Sequence, residues 1–316
     1  MSRNLRIVFM GTPDFAVGVL KEIVEAGKNV VGVITAPERP AGRGRKLMAS
    51  AVKEYAVSKN LHVLQPTNLK DEKFLNDLKK LEGNLQVVVA FRMLPKVVWQ
   101  IPEYGTFNLH ASLLPQYRGA APINWAIING EKKTGVTTFF IDEKIDTGAI
   151  IANREVSIGA DENAEILHDK LMKTGSELVL ETLKLIENDQ AVPQPQLEST
   201  TLKEAPKLTP ENTRIDWTKP GGEIENFIRG LSPYPVAWTT LNNNKEEFKM
   251  KIYAGIFENA QHNLSIGTIQ ASKKDFKVAC SDGYIVVKEL QLPGKRKMDI
   301  ISLLNGFSFS EDSNLS

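Results

Sequence analysis

Two hydrophobic periods alternate along the first half of the chain. Residues 5–10 form a continuous apolar run broken only by Arg6 and stopping at Gly11, the pattern of a strand buried on both faces. The next apolar positions, Phe15, Val19, Leu20, Ile23 and Val24, recur at three- and four-residue steps, which places them on one face of a helix. Residues 30–35 return to a β-branched run. Strand, helix and strand at this spacing predict a βαβ unit, and hence a parallel sheet with crossover helices. The alternation continues with a helix over 51–59, a short strand at 61–64, a helix over 74–81 and a continuous apolar strand at 85–90. Strands are predicted at 107–110 and 136–141, then a long amphipathic helix over 161–185 with Asp161 as its N-cap.

The pattern changes after residue 190. Gln190 to Glu198 is rich in proline and polar residues, which suits an extended linker. This divides the chain into a domain over 1–190, a linker over 191–207 and a second domain over 208–316. In the second domain a short helix is expected at 224–231, followed by strands at 248–254, 267–269, 276–280 and 284–290. Short strands separated by turn signals predict a small barrel. The serine- and acid-rich tail, 307–316, is expected to fray.

Composition narrows the function classes. The chain has 316 residues and a formal net charge of +1, so no global basic field announces a polyanion and any such contact must come from a local patch. Its single cysteine, Cys280, has no internal partner for a disulfide or a cysteine-rich metal site. The first apolar run is too short for a signal-peptide core, and no apolar stretch approaches the ~20 residues that span a bilayer. A cytoplasmic protein without membrane contact or obligate protein partner is the expectation. The turn after the first strand has one glycine, Gly11, where a dinucleotide fingerprint needs three, which argues against a dehydrogenase.

Candidate chemistry concentrates between Phe107 and Asp146. In Asn108-Leu109-His110 the two-residue strand period puts Asn108 and His110 on one face. A turn at Asp146-Thr147-Gly148 could bring a carboxylate back to the imidazole. Amide, imidazole and carboxylate are the groups needed to hold a developing oxyanion and move protons at a carbonyl carbon. The nearest hydroxyl, Ser112, precedes Leu113-Leu114-Pro115 rather than the glycine of a nucleophile elbow. Direct acyl transfer without a covalent enzyme intermediate is the expected chemistry. No spacing suggests a metal site. A second cluster, Pro37 to Lys46, carries Arg39, Arg43, Arg45 and Lys46 against one acid, Glu38, a charge density suited to phosphates.

Taken together, Asn108-Leu109-His110, Ser112 to Pro115, Arg118 to Pro122, Thr134 to Thr137 and Asp146 to Gly148 resemble the folate-dependent formyltransferases, motif by motif and in order. The resemblance implies a Rossmann-like doubly wound parallel sheet and a second, smaller OB-like β-barrel domain. It implies that Asn108, His110 and Asp146 are catalytic. It also implies that Ser112, Leu113, Leu114 and Pro115, with Phe91 and Leu94 at the end of the preceding strand, bind the folate. The family's glycine-isoleucine form is replaced here by Arg92-Met93. Gly11 to Phe15 and the loop from Arg39 to Lys46 resemble the branch whose acceptor is initiator tRNA. That resemblance implies formyl transfer from 10-formyltetrahydrofolate to the α-amine of methionine on that tRNA, with Arg39, Arg43, Arg45 and Lys46 on the tRNA. Two other readings remain: a formyltransferase for a small amine, such as a nucleotide sugar or glycinamide ribonucleotide, and a non-catalytic RNA-binding protein.

Overall fold

The computed structural model describes residues 2–41, 46–197, 201–310 and 312–316. The chain divides into two compact units. One comprises Met1–Gly119, Thr134–Ser157 and His168–Glu204; the other comprises Ala120–Lys133, Ile158–Leu167 and Ala205–Ser316.

The first unit is built on a seven-stranded sheet ordered Ile150–Ser157, Lys133–Phe140, Thr106–His110, Leu85–Val89, Ile7–Gly11, Val30–Ile34, Val63–Leu64. The last five of these run parallel, as the βαβ pattern predicts. Ile7–Gly11 and Leu85–Val89 are buried at every position, which is why their sequences are apolar rather than alternating; the one polar member, Gln86, accepts from the Thr106 hydroxyl at 2.9 Å. The sheet is not parallel throughout. Lys133–Phe140 pairs antiparallel with Thr106–His110, His110 opposite Thr137 and Asn108 opposite Phe139. One apolar cluster gathers Val8, Met10, Ile34, Phe74, Leu78, Val88 and Leu94 from strands and helix.

Helix ends follow local hydrogen-bond chemistry. Ser50 caps Ala51–Ser58 by accepting from the Lys53 amide, and Asp71 caps Glu72–Lys80 by accepting from Phe74. The long helix is Ala164–Glu187, not 161–185. Its first turn is capped by Asn163, whose Oδ1 accepts from the Ile166 amide at 3.0 Å, so Asp161 is not the cap. Either residue can serve by type; the one that reaches an orphan amide three residues on determines the start.

The second unit holds an antiparallel sheet ordered Ile269–Ala271, Phe276–Cys280, Gly283–Gln291, Glu246–Asn259, Ala237–Asn243, Asn314–Leu315. A bridge between Thr268 and Asn314 joins its two ends, making a nearly closed barrel. Helix Gly221–Leu231 contributes Ile224, Ile228 and Leu231 to a core with Met250, Ile252, Phe276 and Val287. Ala237–Asn243 is a strand that the pattern hides. It alternates strictly between buried and half-buried positions, but its inward residues include Thr239 and Asn243. Thr239 Oγ1 accepts from the Trp217 indole at 2.9 Å. Asn243 Oδ1 accepts from the Ser310 amide at 2.9 Å and the Ser313 hydroxyl at 2.6 Å. The tail does not fray. Leu315 pairs with Leu241, and Phe309 packs against Phe276 with ring centroids 4.7 Å apart.

Candidate active site

Asn108 and His110 occupy the last turns of the pleat in Thr106–His110, between a parallel and an antiparallel neighbour. Ligands of open α/β sheets bind beyond such carboxyl ends. His110 is 7 % exposed. Its Nε2 lies 2.8 Å from the Tyr117 carbonyl. A carbonyl only accepts, so Nε2 carries the proton in this contact. Nδ1 then faces Asp146 Oδ2 at 3.7 Å, an ion-pair separation longer than a hydrogen bond. The buried Oδ1 of Asn108 has no hydrogen-bond partner. Buried side-chain amides are rarely left so, and this one projects from the same strand face as the imidazole.

The turn carrying Asp146 is held from three directions. Asp146 adopts a left-handed backbone conformation, φ +56°, which aspartate tolerates better than most residues. Its Oδ2 accepts from the Gly119 amide at 2.9 Å. Gln196 Nε2 donates to the carbonyls of Asp146 and Gly148 at 2.9 and 2.8 Å, while Gln196 Oε1 accepts from Arg118. Position 148 must be glycine: a Cβ there would stand 1.7 Å from the Phe140 carbonyl oxygen. Gln196, Arg118 and Thr137 are members of the site to which residue-type reasoning gave no role. Gln196 sits in the segment that reads as a linker, and only the fold brings it to Asp146.

Ser112 to Pro115 forms a tight loop after His110. The Ser112 hydroxyl donates to the Gln116 carbonyl at 2.6 Å, so it closes its own loop and is not poised as a nucleophile. Thr137 holds the same loop across the antiparallel pair, donating to the Ser112 carbonyl at 2.6 Å and accepting from the Leu114 amide at 3.2 Å. Gly135 lets it approach, since a Cβ would meet the Leu113 side chain at 2.5 Å. Phe91 and Leu94 follow Leu85–Val89, the strand beside Thr106–His110. Phe91 is half-buried. The Leu94 side chain is packed into the apolar cluster.

Arg39 is exposed and pairs in register with Met48 across the hairpin Arg39–Ala41/Lys46–Met48. Arg43, Arg45 and the side chain of Lys46 lie outside the described residues. Glu38, the one acid of that cluster, is bound to Lys53 at 2.6 Å. Among the described residues no group of three or more His, Cys, Asp or Glu could hold a metal ion, and no helix is long and apolar enough to cross a membrane. In the second unit a cavity of about 410 Å³ opens between Trp125, Arg214 and Phe227, and it contains none of the expected catalytic residues.

Comparison with known proteins gives matches over nearly the whole chain. Residues 5–183 match the family described as formyl transferase, and residues 207–308 match the formyl transferase C-terminal domain. A methionyl-tRNA formyltransferase of Flavobacterium johnsoniae is 58 % identical over 312 residues, covering 99 % of each chain. One from Bacteroides thetaiotaomicron is 53 % identical, covering 98 % of this chain and 97 % of its own. Solved structures share the fold at low identity. An N-formyltransferase from Helicobacter canadensis, in complex with folinic acid and dTDP-3-aminofucose, has a TM-score of 0.63 at 21 % identity over 90 % of this chain and 98 % of its own. HypX from Aquifex aeolicus, in complex with tetrahydrofolic acid, has a TM-score of 0.64 at 18 % identity, covering 96 % of this chain and 47 % of its own.

Proposed function

The chain belongs to the formyltransferase family, and from that membership we infer its activity: transfer of the formyl group of 10-formyltetrahydrofolate to the α-amine of methionine on initiator tRNA. The observation that carries this is identity above 50 % over both domains with relatives named for that reaction. Sugar-modifying formyltransferases share the fold alone, so a small-amine acceptor is not favoured. A non-catalytic role is disfavoured by the buried, unpartnered Asn108 amide beside His110.

The residue roles we propose follow from the geometry. The amine nitrogen attacks the formyl carbon, and the carbonyl oxygen gains negative charge. Asn108 donates to that oxygen through its side-chain N–H, and the His110 Nε2–H joins it by exchanging its contact with the Tyr117 carbonyl for the oxyanion. Asp146 lies beside Nδ1 and accepts from it once that nitrogen has taken up the proton that leaves the attacking amine; the 3.7 Å gap then closes to a hydrogen bond, as catalytic hydrogen bonds often tighten only with substrate. The intermediate collapses by breaking the bond to N10 of the folate, which takes up a proton. No enzyme nucleophile enters. The loop Ser112, Leu113, Leu114 and Pro115, with the backbone of Phe91 and Leu94, binds the folate. Arg39, Arg43, Arg45 and Lys46 contact the tRNA, and the barrel at 208–316 contributes to holding it. We place the reaction in the cytoplasm, where a lone buried thiol such as Cys280 stays reduced, and we assign no obligate protein partner.

The test is direct. Incubation with 10-formyltetrahydrofolate and methionine-charged initiator tRNA should yield formylmethionyl-tRNA, with nucleotide amino sugars and glycinamide ribonucleotide left unmodified. Formylation of either small amine in place of the tRNA would overturn the assignment.

A further inference from the structure

An open cleft of about 440 Å³ lies where the strands Ile7–Gly11, Val30–Ile34 and Leu85–Val89 end, and two of the side chains lining it are Arg39 and Arg92. No aspartate or glutamate lines it among the described residues. Glu38, the acid next to Arg39, is occupied by Lys53. The Arg39 side chain makes no hydrogen bond or ion pair among the described residues. Arg92 is fixed in place: Nη1 donates to the Thr67 carbonyl at 2.8 Å and Nη2 to that of Pro66. Those two bonds leave three of its five N–H donors free. Its guanidinium also lies 5.7 Å from the centre of the Phe91 ring. Burial, and then the charge of Arg39, push the Arg92 guanidinium below its ordinary pKa. Two like charges held in one cleft without a counter-charge cost free energy, and an anion between them removes the cost.

The cleft is also close to the catalytic strand. Gly11 is in register with Val89, and Val89 with Leu109. Neighbouring strands are about 4.8 Å apart, so the residues that follow Gly11 and Val89 into the cleft are one to two strand spacings from His110. An acceptor held there has its reactive end at the site. The cleft wall is amphipathic, with half-buried Phe91 and the 56 % exposed Met48 beside the two arginines, which suits a chain of bases and phosphates more than a compact carboxylate.

We propose that Arg39 and Arg92 form a two-arginine clamp for a phosphodiester of the acceptor's single-stranded 3′ end. The inference rests on the reading that the acceptor is a tRNA.

The experiment compares full-length wild type, Arg92→Ala and Arg39→Ala. It measures equilibrium binding of uncharged intact initiator tRNA, the same tRNA trimmed of its single-stranded 3′ nucleotides, and 10-formyltetrahydrofolate carrying one or several glutamates. Each variant should bind intact tRNA about ten-fold more weakly and lose about 0.7 from the log–log salt slope, one single-strand phosphate contact. Binding of trimmed tRNA and of both folates should not change. Arg92→Ala also frees the Pro66–Thr67 segment, whereas Arg39→Ala breaks no side-chain hydrogen bond or ion pair among the described residues, so the second variant decides the case if the first folds poorly. Unchanged binding of intact tRNA by Arg39→Ala overturns the clamp, as does equal weakening on trimmed tRNA. Weakening confined to the several-glutamate folate reassigns the cleft to donor carboxylates. Failure of wild type to formylate charged tRNA sinks the proposed function; normal formylation with unaltered variant binding sinks only the clamp.

Discussion

Two buried polar clusters, one in each unit, are built to opposite rules. In the barrel, Asn243 is enclosed and satisfied: its Oδ1 accepts from Ser310 and Ser313, and its Nδ2 donates to the Ser308 carbonyl at 3.2 Å. At the candidate active site, Asn108 is the same residue type on a strand, yet its Oδ1 is buried without a partner. Around it the supporting groups are tied down: Ser112 to the Gln116 carbonyl, Thr137 to the Ser112 carbonyl, and Asp146 to Gly119 with its backbone carbonyl bound by Gln196. The difference separates two uses of burial. Satisfied polar groups in the barrel specify a closure. A buried acceptor left open amid a fixed frame is an uncompensated cost in the free protein, of the kind that an N–H of a bound substrate removes while the amide N–H faces the oxyanion.

The sharpest way to break this comparison is to remove the groups assigned to chemistry. His110→Ala and Asp146→Ala should each lower kcat by ~100-fold or more, with folate binding nearly unchanged; near-normal turnover in folded protein would discard the assignment. Asn108→Ala should lower kcat by about 100-fold while thermal stability stays level or rises, because an unpaired buried polar atom is lost. A fall in Tm as large as that of an ordinary buried-polar deletion would mean that Asn108 is structural. Asn243→Ala should do the reverse: destabilise by about 1–3 kcal/mol in denaturant titration, since the Ser310 amide and Ser313 hydroxyl lose their acceptor, with kcat of the folded protein intact. The smallest effect is expected for Gln196→Ala. Its amide holds the Asp146 turn without a role in the chemistry, so kcat should fall by about ten-fold with little change in KM. Gln196→Glu should not restore it, because a carboxylate cannot donate to the carbonyls of Asp146 and Gly148.

Much of this architecture is legible in the sequence because it is written in periodicity. Continuous apolar runs at 5–10 and 85–90 mark strands covered on both faces, and the motifs around Asn108, His110 and Asp146 are local. What escapes is what depends on partners distant in the chain. Gln196 sits among prolines that signal only an extended segment; its function comes from carbonyls some fifty residues earlier. Ala237–Asn243 alternates, but Thr239 and Asn243 face inward, and their burial is tolerable only because Trp217 and the tail serines complete their hydrogen bonds. The tail itself reads as disordered by composition. Phe307 and Phe309 against the core, and Leu315 on the available strand edge at Leu241, order it. Asp161 and Asn163 are equal as cap candidates by type, and the Ile166 amide decides between them.

The tail's place in the barrel also bears on the life of the chain as it is made. Residues 314–316 supply the strand beside Ala237–Asn243 and the bridge to Thr268, yet in synthesis from the N-terminus they emerge some seventy residues after the strand they pair with. Until then Ala237–Asn243 has an open edge, the kind of surface that templates pairing between nascent chains. Closing across so long a stretch is slow compared with local hairpins. The barrel's vulnerable interval is therefore set by the timing of translation: a stall shortly before residue 314 would leave the hairpin Ala237–Asn243/Glu246–Asn259 formed and its partner strand not yet made.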